Sequence, residues 1–146
     1  MPLRLSGSFL WFSRTSKYID CFTVIFAASL IEKKGMYTIK INFEQKGMEP
    51  VTLENVESGQ SLLEIALKND IELHHNCGGV CACTTCHLYI EKGMEFVDEI
   101  TDKEEDFIDR AVNPRLNSRL GCQSLLNDGE GVIEVILPDQ TQFLGE

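Results

Sequence analysis

Four of the six cysteines in this chain lie between positions 77 and 86, in the stretch HHNCGGVCACTTCH from His74 to His87. Cys77, Cys83 and Cys86 are spaced C-x5-C-x2-C, Cys81 falls inside the first interval, and Cys122 stands apart in RLGCQ. Thiolates gathered this densely are soft ligands for metal. A three-plus-one arrangement of cysteines is one way in which a [2Fe–2S] cluster is held. The stretch lacks the long apolar run of a core element. Gly78 and Gly79 permit tight or positive-φ backbone close to a bound object. Ala82, Thr84 and Thr85 are small enough for backbone N–H groups to approach the sulfurs.

The same residues admit other chemistry. Structural zinc sites pair two short C-x2-4-C units, whereas here one C-x2-C is followed by a distant single cysteine. Cys83-Thr-Thr-Cys86-His87 satisfies the C-x-x-C-H attachment pattern of c-type haem. That pattern requires export and leaves Cys77 and Cys122 without purpose. His87 is expected to hydrogen-bond backbone and fix the loop rather than replace a thiolate. His74 and His75 are expected to be loop residues with no metal role. Cys81 has two readings, a small residue filling the loop or a reactive thiol beside the metal centre. Cys21 is given no role.

Elements that must position these residues are legible on both sides of the loop. Tyr37, Ile39, Ile41 and Phe43 alternate with polar residues, the period-2 pattern of a half-buried strand. Gln45-Lys46-Gly47 reads as a turn and Pro50 to Val56 as the returning strand of a hairpin. Ser61 and Glu64 form a capping-box pattern, opening a helix whose apolar face is Leu62, Leu63, Ile65, Ala66 and Leu67; Asn69-Asp70 ends it. Leu88 to Ile90 resumes a strand, closed by Lys92-Gly93. Thr101 and Glu104 form a second capping-box pattern, opening a helix through about Ala111 that Pro114 stops. Its Phe107, Ile108 and Ala111 can face a core, and Asp102, Glu105, Asp106 and Asp109 can face water. Asn127 to Gly129 is a turn, and Val132 to Leu137 is a β-branched strand ended by Pro138. The mixture predicts one compact α+β domain.

Composition narrows the function further. The chain has 146 residues, room for one domain with a real core, and a net charge of −10. Such acidity argues against nucleic acid and for a partner with a basic face. Six cysteines are too few for a disulfide-dense secreted scaffold, and their clustering suits a reducing compartment.

Residues 1–35 read differently. Their first part is basic, serine-rich and acid-poor, like an organelle transit peptide. The apolar run from Cys21 to Ile31 is shorter than the roughly 20 residues needed to span a bilayer, and no membrane role is expected. Codons for Glu32-Lys33-Lys34-Gly35 must be purine at every position except the last, as in a bacterial ribosome-binding region ahead of Met36. We therefore expect residues 1–35 to be an extension outside the mature domain, from start-site choice or targeting, and 36–146 to be the working domain. Without the extension the domain holds 8 basic and 21 acidic residues, a net charge of −13.

Taken together, Cys77 to His87, the RLGCQ stretch from Arg119 to Gln123 and the acidic ITDKEEDFIDRA segment from Ile100 to Ala111 closely resemble the [2Fe–2S] ferredoxins of the adrenodoxin type. The bacterial ferredoxins of the iron–sulfur-cluster assembly system are the nearer branch, because CGGVCACTTCH carries the additional Cys81. The resemblance runs from about Met36 to Pro138 and implies a β-grasp fold. It implies that Cys77, Cys83, Cys86 and Cys122 bind one [2Fe–2S] cluster. It also implies that Asp106 and Asp109 dock redox partners; Asp102 and Glu105, three and four residues away on the same face, are expected to join that surface, although a helix N-terminus alone suits them. The expected function is one-electron transfer, not catalysis, from a ferredoxin reductase to the cluster-assembly machinery. Donation to a cytochrome P450-type monooxygenase, or hand-over of the cluster itself, are the alternatives. A bacterial cytoplasmic location is expected, or a mitochondrial matrix if residues 1–35 are a transit peptide.

Overall fold

Alternation in MYTIKINF becomes strand β1 (Met36–Phe43), with Tyr37, Ile39 and Ile41 buried and Phe43 packed at the core's edge. The computed structural model describes residues 35–143, so the expectation for residues 1–35 lies almost wholly outside the described residues. Strand β2 (Val51–Glu57) pairs antiparallel with β1, as the hairpin reading predicts. Ser61 then opens helix α1 (Leu62–Lys68) with a complete capping box. Ser61 Oγ accepts from Glu64 N–H at 3.2 Å, and Glu64 Oε2 accepts from Ser61 N–H at 3.1 Å. Leu62, Leu63, Ile65 and Ala66 are buried, but Leu67 is 43% exposed. One further step of helical rotation past Ala66 carries it off the buried face.

Beyond the cysteine loop come β3 (His87–Lys92), a 3-10 turn (Met94–Phe96), helix α2 (Asp102–Ile108), β4 (Ser118–Leu120), β5 (Gly131–Leu137) and a last 3-10 turn (Gln140–Phe143). The strands form one mixed sheet in the order β2-β1-β5-β3-β4. Its central pair, β1 and β5, is parallel, and every other pairing is antiparallel. Ile39, Ile133 and Val135 of that pair share a core with Leu63, Ile65 and Ala66 of α1. A mixed sheet wrapped on one helix is an α+β, β-grasp architecture. Gly93 closes β3 at φ +85°, where a Cβ would stand 2.9 Å from both Ile133 Cγ1 and the Val132 carbonyl oxygen. Only glycine meets both conditions without strain.

Helix α2 departs from the sequence reading in two ways. Thr101 Oγ1 accepts from Glu104 N–H at 3.2 Å, but the Glu104 side chain does not return to the cap. It turns inward and is fully buried. There it takes Arg119 Nε–H at 2.8 Å, Arg119 Nη2–H at 3.1 Å and Leu120 N–H at 2.8 Å. Arg119 is itself 4% exposed. A buried guanidinium without a counter-charge is costlier than half a capping box. The helix also ends at Ile108 rather than Ala111, with Arg110 and Ala111 N–H groups reaching back three residues to Phe107 and Ile108. Ile108 is buried and Phe107 half-buried, while Asp102, Glu105, Asp106 and Asp109 are exposed, as expected.

Glu104 therefore joins α2 to β4. A Glu104→Ala protein should lose about 3–5 kcal/mol of unfolding free energy, the cost of leaving one charge of a buried pair alone. Chemical denaturation would measure this; a loss below about 1 kcal/mol would mean that the pair is hydrated in solution.

Candidate metal centre

Buried Ile71 and Leu73 anchor the start of the cysteine loop, and buried Cys86, His87 and Leu88 anchor its end. Between them the backbone turns through positive φ at Gly78 (70°), Gly79 (89°) and Cys81 (52°). The two glycines take this conformation freely, whereas Cys81 holds it at a cost of about 1–3 kcal/mol. The return is a backbone N–H from Cys81 directed at the Cys122 sulfur.

Four thiols are brought together in two pairs. Burial works to raise the Cys77 thiol, but hydrogen bonds from the Ala82, Gly79 and Val80 N–H groups and from the Cys83 thiol bring it down to about 7. Cys83 Sγ lies 3.2 Å from Thr85 Oγ1. In the second pair, Cys86 Sγ and Cys122 Sγ stand 3.6 Å apart. The Cys86 hydrogen bond, opposed by burial and helped by Gln123, pushes Cys122 down to about 6; Gln123 Nε2 is 3.5 Å from its sulfur. Cys86 is pushed up, first because it donates to Cys122 and then by burial. Among the described residues, no three His, Cys, Asp or Glu side chains form a single-ion group.

The Cys86–Cys122 approach is set by the sheet. His87 pairs with Leu120 across β3 and β4, and Gly121 N–H donates to the Cys86 carbonyl at 2.9 Å. A Cβ on Gly121 would lie 3.2 Å from that carbonyl oxygen and 3.2 Å from Leu73 Cδ2, so a side chain there would force these neighbours to give by a few tenths of an ångström.

Cys81 is 3% exposed and packs in the core cluster. Burial, with the Cys122 charge second, pushes its thiol up. His87 is fully buried, but its partner is not backbone. Its Nε2 meets Ser118 Oγ at 2.8 Å, and that oxygen accepts Arg115 N–H at 2.7 Å. Its other ring nitrogen, Nδ1, is buried with no hydrogen-bond partner among the described residues. The ring stands edge-on to Tyr89, centroids 4.8 Å apart. Burial, then the Arg115 charge, pushes it down to about 4, so it is neutral at pH 7. His75 Nδ1 meets the Leu73 carbonyl at 2.9 Å, and His74 N–H meets Gln140 Oε1 at 3.0 Å. Ser118 and Gln140 carry no local pattern that sequence reasoning could use; Thr85 lay inside the cysteine stretch, and Gln123 and Arg119 inside RLGCQ.

Residues 44–127 match the family model described as a 2Fe-2S iron-sulfur cluster binding domain. The chain belongs to the [2Fe–2S] ferredoxin family. It is 41% identical over 78 residues to the 2Fe-2S ferredoxin of Haemophilus influenzae, covering 53% of this chain and 69% of that one. Adrenodoxin-like protein 2, mitochondrial, of Arabidopsis thaliana is 35% identical over 135 residues, 90% of this chain and 66% of that protein. That span is too long for residues 36–146 alone, so the match reaches into the first 35, beyond the stretch that resembles ferredoxins by motif. Among solved structures, the ISC-like [2Fe-2S] ferredoxin FdxB of Pseudomonas putida is 39% identical with a TM-score of 0.60, over 68% of this chain and 91% of that one. This ferredoxin carries one [2Fe–2S] cluster and is an electron carrier, as its family is; ferredoxins are not enzymes in their own right. Its donor set fits the cofactor, with four thiols close together, two of them pushed toward the thiolate and several N–H groups aimed at sulfur.

Proposed function

We propose that Cys77, Cys83, Cys86 and Cys122 hold the cluster, and that this ferredoxin passes single electrons from a ferredoxin reductase to the iron–sulfur-cluster assembly machinery. The observation that carries the ligand assignment is the pairing of thiols, Cys77 with Cys83 and Cys86 with Cys122. Each iron of a [2Fe–2S] cluster needs two protein ligands besides its bridging sulfides. The chemistry the group supplies when bound is a one-electron change between its 2+ and 1+ levels.

The chain's own residues do the rest. N–H groups of Gly79, Val80 and Ala82 around Cys77, and of Cys81 beside Cys122, favour negative charge on sulfur and so help set the potential. Buried Cys86, Leu88 and Leu120 keep water from the inner side. Cys77 and Cys83 are part-exposed, as is Cys122, and Gly78, Val80 and Ala82 between the first two are exposed, so the edge from Cys77 to Cys83 is the electron's way out. Likeness to FdxB supports the assembly role. Likeness to putidaredoxin in the covalent putidaredoxin reductase–putidaredoxin complex, 30% identical with a TM-score of 0.56, supports a reductase partner. Among the described residues no helix is long and apolar enough to cross a membrane.

A Cys122→Ser protein should lose most of its cluster, read as visible absorbance per mole of protein. Cys81→Ser should keep the spectrum, because four other thiolates suffice. If Cys81 acts as a reactive thiol, the same variant fails in a cluster-synthesis assay; its burial supports packing instead. Wild-type cluster content in Cys122→Ser would end the ligand assignment.

Docking is assigned to the exposed acids Asp102, Glu105, Asp106 and Asp109. The first two also suit a helix N-terminus, but Asp106 and Asp109 lie beyond that explanation. Asp106→Asn with Asp109→Asn should leave the spectrum and potential nearly unchanged. Reduction by the partner should slow roughly tenfold at low salt. The rate should also depend less on salt, since screening shortens to about 8 Å at 0.15 M. An unchanged rate and salt slope would make this face ordinary solvated surface.

Residues 36–146 are proposed as the working domain, in a bacterial cytoplasm. The Arabidopsis match that reaches into residues 1–35 favours a second reading, a targeting segment for a mitochondrial matrix. A protein begun at Met36 should match the full chain in cluster content and thermal midpoint on either reading; a large loss would show that the extension packs on the domain.

A further inference from the structure

The cysteine loop leaves the core at Leu73 and returns at Cys86, and its two legs are held unequally. The returning leg runs directly into β3 at His87. The outgoing leg, residues 74–76, belongs to no strand. Two side chains span the gap between them. Thr85 Oγ1, on the returning leg, accepts Asn76 N–H at 3.0 Å. Gln140 comes from outside the loop and touches both legs. Its Oε1 accepts His74 N–H at 3.0 Å, and its Nε2 donates, at a longer 3.5 Å, to the Thr85 carbonyl. The side chain is 9% exposed, so these bonds compete little with water. Gln140 sits in the turn that follows β5, a strand paired on both sides.

We propose that Gln140 is a positioning residue for the metal centre. It closes the base of the cysteine loop, fixes the separation of the two legs, and thereby governs how firmly the cluster is retained. The proposal rests on the ligand assignment above, because Cys77 and Cys83 must be carried by the part of the loop that this contact steadies. Without Gln140, His74 N–H loses a buried acceptor, and of these contacts between the two legs the Asn76–Thr85 bond remains. Cys77 can then drift from Cys86 and Cys122, which the sheet holds independently.

The test uses purified, cluster-loaded protein and two variants. Gln140→Met keeps length and volume and makes neither bond. Gln140→Glu keeps the acceptor for His74 N–H and loses the donor to Thr85. The readouts are the rate at which visible absorbance bleaches in excess iron chelator, and peptide-level hydrogen–deuterium exchange. Gln140→Met should keep the visible spectrum yet release its cluster roughly tenfold faster, the order expected when a buried N–H loses its acceptor. Exchange should rise at residues 74–76 and stay unchanged in β5, and Gln140→Glu should fall between the two proteins. Wild-type release and exchange in Gln140→Met would overturn the proposal, as would faster exchange spread equally through β5, which is what a merely structural role gives. Failure of the ligand assignment is a separate result, a Cys122→Ser protein that keeps its spectrum, and needs neither Gln140 variant to be seen.

Discussion

Everything in this domain depends on keeping the Cys122 sulfur 3.6 Å from that of Cys86, a residue 36 positions earlier in the chain. Neither residue holds the other by itself. The approach is imposed by a three-residue strand, β4, laid against β3, and by Gly121, whose missing side chain lets the two backbones meet. So short a strand has little stability of its own. Glu104 supplies what is missing, gripping Arg119 through two bonds and Leu120 through one, immediately before the Gly121–Cys122 turn.

This arrangement gives helix α2 two jobs. Its inner face, Glu104 and Ile108, fixes the strand that delivers Cys122; its outer face carries Asp102, Glu105, Asp106 and Asp109. Lys103, on the same helix, leans over the cysteine loop with Nζ 3.4 Å from the Val80 carbonyl. The exposed acids and the second thiol pair therefore belong to one mechanical unit. On the docking reading, a basic partner meets a surface whose distance from the metal centre is held by a buried ion pair. Such a pair is worth more for the geometry it specifies than for net stability, since burying charges costs nearly what their attraction returns.

Much of the fold was legible because local rules and tertiary packing agree. The alternation from Tyr37 to Phe43, the capping box at Ser61 and Glu64, and the β-branched run from Val132 to Leu137 each became the element they predict. The thiol set was legible because its spacing is covalently local, apart from Cys122. What sequence reasoning missed is long-range. Glu104 satisfies a capping-box pattern that its side chain abandons for Arg119, fifteen residues on. His87 was expected on backbone and instead finds Ser118. The parallel pairing of β1 with β5 leaves no periodic trace, because both strands show only that they are strands. Gln140 is one polar residue among several near the C-terminus, and only the fold brings it to His74 and Thr85.

The central claim is that four thiolates from one loop and one turn hold a [2Fe–2S] cluster that takes up single electrons. A reductive titration of the purified protein, followed by visible absorption and electron paramagnetic resonance, tests it most directly. The account predicts a coloured, diamagnetic oxidised protein that bleaches in part on uptake of one electron per chain. The reduced form should then show a spin-one-half signal that integrates to one per chain. A colourless protein carrying zinc, or a signal that requires more than one electron per chain, would contradict it.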